Sequence, residues 1–96
     1  MNKVVLKLYT AGKNLSPQES ATLENLRRIC DAELGGQYEL EIIDILENPA
    51  IAEAEEIIAT PTLVKELPPP PKRIIGEISN TEKILMELEL ERIIEK

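Results

Sequence analysis

The stretch Ile57 to Ile78, reading IIATPTLVKELPPPPKRIIGEI, decides how the rest of the chain is read. Two short apolar runs, Thr62 to Leu67 and Arg73 to Ile78, stand on either side of four consecutive prolines, Pro68, Pro69, Pro70 and Pro71. Leu63 and Val64 in the first run, and Ile74, Ile75 and Ile78 in the second, supply aliphatic, partly β-branched side chains that pack on a pleated surface. Each run therefore suits a strand. The prolines lack backbone donors and have fixed φ, so they cannot continue a ladder and must form the connection. The simplest arrangement is a hairpin. Thr60-Pro61 sits just ahead of the first run, where the trans bond is the commoner form and a cis bond would act as a fixed turn.

Upstream, Val4 to Thr10 reads as a first strand, with Val4, Leu6 and Leu8 on one face and Val5, Lys7 and Tyr9 on the other. Apolar atoms on both faces indicate a mostly buried strand. Ala11 to Leu15 is a loop. Ser16-Pro17-Gln18-Glu19 then opens a helix: Ser16 can accept from an orphan N–H, Pro17 tolerates the first position, and Glu19 can return the capping contact. Leu23, Leu26, Cys30 and Leu34 follow at helical spacing, and Gly35-Gly36 ends the helix. Tyr38 to Leu46 is a second strand. A strand, a crossover helix and a strand make a βαβ unit with the two strands parallel.

Asn48-Pro49 marks another helix entry, and Ala50 to Ala59 carries Ile51, Ala54 and Ile58 on one stripe. Downstream of the hairpin, Ser79-Asn80-Thr81-Glu82 is a second capping box, and Ile84, Leu85 and Leu88 begin a C-terminal helix. The order is βαβαββα, an α/β arrangement of the thioredoxin-like kind. One segment is in conflict with itself. Met86, Leu88 and Leu90 alternate strictly with Glu87, Glu89 and Glu91, the period of a half-buried strand, directly after a helix start.

Ninety-six residues make one domain, 1–96, with a single modest core. Tyr9 and Tyr38 are the only aromatic residues, so the core is aliphatic and stacking on nucleic-acid bases is not expected. The net charge of -7, from 18 acidic and 11 basic residues, argues against nucleic-acid or anionic-membrane surfaces. No apolar run approaches the roughly 20 residues of a membrane span. One cysteine and no signal-peptide pattern lead to the expectation of a cytoplasmic protein.

The residues do not support an enzyme. A dithiol oxidoreductase needs a thiolate at the start of the first helix, where the dipole lowers its pKa. Gly12 to Pro17 holds no cysteine, and Cys30 lies late in the helix on its apolar stripe, the place of a buried structural thiol. The chain has no histidine, the commonest general base. Glu53, Glu55 and Glu56, and the Glu87, Glu89, Glu91 series, lack the loop spacing and glycine of a calcium site and read as solvated faces. Catalytic, metal and cofactor sites are all expected to be absent. What remains is binding. Lys65, Lys72 and Arg73 flank the proline connection in an otherwise acidic protein, either as charges guarding edge strands or as a contact patch.

Three segments together carry a family resemblance: Ala59-Thr60-Pro61-Thr62-Leu63, the proline connection, and Ile74-Ile75-Gly76-Glu77-Ile78-Ser79. KLYTAG at Lys7 to Gly12 and IIDILENP at Ile42 to Pro49 agree in the right order. The chain resembles the KaiB family of circadian clock proteins over nearly its whole length. The resemblance implies a regulator that docks on the N-terminal ATPase ring of a hexameric KaiC-like protein and modulates its phosphorylation cycle. It further implies contacts with a KaiA-like protein or competition with a SasA-like histidine kinase, and basic residues near Lys65, Lys72 and Arg73 in the docking. The family switches folds, and its resting form, βαββααβ, assembles as homodimers or homotetramers. The resemblance places that switch at Pro61, Pro68, Pro69, Pro70, Pro71, Glu87 and Glu89. The chain departs from the family at Glu56, where a lysine is common, and at Glu87 and Glu89, where clock members carry Gly and Asp. These departures suit an adaptor in stress response or kinase signalling as the alternative. A thioredoxin-like redox protein is the alternative from the enzyme class.

Overall fold

The computed structural model describes residues 3–76 and 81–88. Its elements run β1 (Val4–Thr10), α1 (Pro17–Leu34), β2 (Tyr38–Asp44), α2 (Pro49–Ala54), β3 (Thr62–Leu67), β4 (Lys72–Ile75) and α3 (Thr81–Glu87). The expected order βαβαββα is therefore adopted. The four strands form one sheet in the order β2-β1-β3-β4, so β1 and β3 are central. β1 runs parallel to β2, as the crossover helix demands, with Val4 opposite Tyr38. It runs antiparallel to β3, with Leu8 opposite Leu63 and a bulge between Val5 and Leu6. β3 and β4 form the hairpin across the prolines.

The two faces of β1 go to different clusters. Val4, Leu6 and Leu8 pack with Leu26, Ile29, Cys30 and Leu34 of α1, with Leu63 and Ile74 of the hairpin, and with Ile84 and Leu88 at α3. Ile84 and Leu88 are fully buried while Met86 between them is 60% exposed. That is helical spacing, so packing decides for helix over the alternating pattern as far as Glu87. The opposite face carries a smaller cluster of Tyr9, Ile43 and Val64 with Ile45 and Ile57 packed against it.

α1 begins and ends where its sequence says. Ser16 Oγ accepts from Glu19 N at 3.0 Å, and Glu19 Oε1 accepts from Ser16 N at 2.9 Å. Gly35 closes the helix at a φ of 59°, a left-handed conformation that glycine takes without a Cβ clash.

Three element ends differ from expectation. β2 stops at Asp44 rather than Leu46, because the Asp44 carboxylate turns the chain by accepting from Leu46 N at 2.9 Å and Gly12 N at 2.7 Å. α2 stops at Ala54 rather than Ala59. Glu56 N donates to the Glu53 carbonyl at 3.1 Å and Ile57 N to the Ala52 carbonyl at 2.9 Å. These are the two bonds of a Schellman turn, with Glu56 in the left-handed position at φ 56°. β4 spans Lys72–Ile75 where Arg73 to Ile78 was expected, and Gly76 follows it at a φ of 96°. Ile78, the expected end of that strand, and Ser79 and Asn80 of the second capping box lie outside the described residues. So do Glu89, Leu90 and Glu91. Thr60-Pro61 is cis rather than the commoner trans form, as are Leu67-Pro68 and Pro69-Pro70.

Candidate partner-binding surface

Lys65, Lys72 and Arg73 are drawn together by the hairpin but not onto one exposed patch. Lys65 stands directly opposite Lys72 in the β3–β4 register, and Val64 opposite Arg73. Lys65 is only 1% exposed. β3 is a central strand, and alternation sends Lys65 to the side of Leu63, into the interior. It is neither an edge-strand guard nor a surface contact in this fold. Lys72 is half-buried and Arg73 exposed.

Arg73 is bonded within the protein. Its Nη2 donates to the Glu55 carbonyl at 2.8 Å and its Nη1 to the Glu56 carbonyl at 3.2 Å, so β4 is tied to the end of α2. Between these elements lies an open cleft of about 550 Å³, lined by Glu55, Val64, Glu66, Leu67, Pro71, Lys72 and Arg73. Glu66 on its wall pairs with Lys7 at 3.3 Å.

The segment around the cleft exposes apolar groups. Ile51 is 42% exposed and Ile58 is 86% exposed, and no residue of α2 is buried. The expected stripe of Ile51, Ala54 and Ile58 therefore does not become a core face, because the helix ends before Ile58 and the turn redirects the chain. Leu67 and Ile75 on the hairpin are 50% and 52% exposed. These exposed aliphatics on α2, the turn after it and the hairpin are candidates for contact with another protein. The sequence reading placed Ile51 and Ile58 on one helical stripe and did not single them out as exposed.

At the other end of β1, two carboxylates lace the loop that precedes α1. Glu19, 3% exposed, accepts from Ala11 N at 3.0 Å through Oε2, and Asp44 holds Gly12 N. Cys30 is fully buried, and that burial pushes its thiol up to about 12. The Tyr9 hydroxyl is buried without a bonding partner, and desolvation raises its pKa. Among the described residues, no three acidic or thiol side chains gather in a way that could hold a metal ion.

Residues 7–90 match the family described as the KaiB domain. The circadian clock protein KaiB3 of Synechocystis sp. is 52% identical over 90 residues, which is 94% of this chain and 86% of that protein. The circadian clock oscillator protein KaiB of Thermosynechococcus vestitus is 51% identical over 90% of this chain and 78% of its own length. Among solved structures, the N-terminal domain of Synechococcus elongatus SasA superposes with a TM-score of 0.70 at 18% identity, covering 96% of this chain and 83% of that one. Mitochondrial thioredoxin 3 of Saccharomyces cerevisiae gives a TM-score of 0.69 at 20% identity, over 92% and 78%. These two similarities establish a thioredoxin-like fold.

Proposed function

The chain belongs to the KaiB family, and on that premise we propose that it is a non-enzymatic, cytoplasmic clock regulator. Its partner is the N-terminal ATPase ring of a hexameric KaiC-like protein, whose phosphorylation cycle it modulates. The observation that carries the reading is the match over residues 7–90 together with identity of about half to proteins named for the circadian clock. The surface fits the role. Ile51 and Ile58 supply exposed aliphatic contact area, and Lys72 supplies a cation at the cleft edge. The absence of a reactive thiol argues for binding over redox chemistry: Cys30 is buried and protonated, and the loop before α1 has no cysteine.

The same proposal includes a second arrangement, βαββααβ, in a resting homodimer or homotetramer. It is supported by the strand-like alternation from Met86 to Glu91 in a segment that is helical up to Glu87. KaiA-like and SasA-like proteins are the further partners that the family relation brings.

Co-elution on a sizing column with the KaiC relative of the same genome, with ATP and after hours of incubation, tests the reading. A complex is expected, with binding weakened and its salt dependence reduced by Lys72→Ala, as for loss of a rim charge. No complex at any incubation time removes KaiC-type rings as partners and turns the search to kinase or stress-response proteins.

A further inference from the structure

Arg73 is a surface cation whose guanidinium is committed to the backbone of another element. It reaches from β4 to the carbonyls of Glu55 and Glu56, the C-cap of α2 and the residue after it. Glu56 holds the left-handed position of the Schellman turn, which glycine adopts without penalty and other side chains do not. The helix supplies two backbone bonds to close this turn, Glu56 N to Glu53 and Ile57 N to Ala52. Two charge-assisted bonds from one planar fork supply the rest. The turn separates Ile51, on the helix, from Ile58, just beyond it, and both are exposed.

We propose that Arg73 is a positioning residue of the partner surface: it locks the turn at Glu55–Glu56 and so sets the relative presentation of Ile51 and Ile58. The proposal rests on the partner-binding reading above. Arg73 then acts through backbone geometry and not as a charge offered to the partner. A lysine in its place keeps the charge but loses the fork that reaches both carbonyls.

Arg73→Lys separates the two roles. In the free protein, amide hydrogen exchange at Glu56 and Ile57 is expected to be about tenfold faster, the scale of one lost hydrogen bond, with Leu6 and Leu8 of β1 unchanged. Binding to the KaiC-type ring is expected to weaken roughly three- to tenfold with an unchanged salt dependence, since no rim charge is removed. Adding Glu56→Gly, which closes the turn without the fork, restores it. The proposal is overturned if Arg73→Lys binds like the parent while Arg73→Ala both weakens binding and flattens its salt dependence. It is equally overturned if exchange quickens and binding does not change. A parent protein that forms no complex defeats the reading of function, and the positioning role with it; the exchange rates alone then decide whether the lock exists.

Discussion

Glu56 sets a carboxylate side chain on a backbone conformation that costs a non-glycine residue roughly 1–2 kcal/mol. Glycine would relieve that strain but give back part of the gain as chain entropy, ~0.5–1 kcal/mol. Glu56→Gly is therefore expected to stabilise the protein by about 0.5 kcal/mol, seen as a higher urea midpoint with the same slope. A lower midpoint would mean that the glutamate side chain supports the turn in some other way. Cys30 gives a pH prediction. Its folded pKa of about 12 stands above the ordinary value of 9.0, so the folded state holds the proton more tightly. That contribution is complete below pH 9 and lost as pH rises toward 12. Stability measured across that window should fall, and should fall less in Cys30→Ala; equal slopes would remove Cys30 as a source of the loss. At this scale the sequence was legible for Cys30, whose apolar stripe announces burial. It was not legible for Lys65 or Arg73. Burial of Lys65 follows from β3 being central, a fact of sheet order, and the bonds of Arg73 join residues 17 and 18 positions away.

Among the elements, α1 was readable from end to end because its signals are local. Ser16, Pro17 and Glu19 act within one turn, and Gly35 needs only its own φ. Glu19 does more than cap. Its two oxygens hold Ser16 N and Ala11 N, so removing it exposes two donors at once. Glu19→Ala is expected to cost about 2–3 kcal/mol in chemical denaturation, more than the ~1 kcal/mol of an ordinary cap deletion such as Ser16→Ala. Equal costs would mean that the bond to Ala11 contributes nothing. α2 and the end of β2 were not readable for a different reason. α2 ends at a glutamate where sequence rules wait for a glycine, and β2 ends where Asp44 reaches back across the sheet to Gly12. Both stops use short-range bonds, but the residues that make them, Glu56 and Asp44, do not by themselves oblige an element to end.

For the whole molecule, the parallel β1–β2 pair and the β3–β4 hairpin follow from element order and short connections, and both were foreseen. The placement of β1 between β2 and β3 adds what order alone omits, a strand with a deep cluster on one face and a thin one on the other. On the thin side only the partly buried Ile45 and Ile57 pack against three buried residues. An uneven cover of this kind suits a chain with a second packing a few kcal/mol away. If the proposed βαββααβ form exists, amides from β3 onward should give two sets of NMR resonances in slow exchange, while β1 and α1 give one. A single set at every temperature would sink the two-fold proposal. The carboxylate-laced loop before α1 has a practical consequence for anyone wishing to retrofit this scaffold as a reductase. A transplanted Cys-x-x-Cys at positions 13–16 would find the amides of Ala11 and Gly12 already claimed and two anions, Glu19 and Asp44, close by. Nearby negative charge disfavours a thiolate, so the graft should stay protonated at neutral pH and reduce insulin slowly if at all. Borrowing the shape would not bring the reactivity with it.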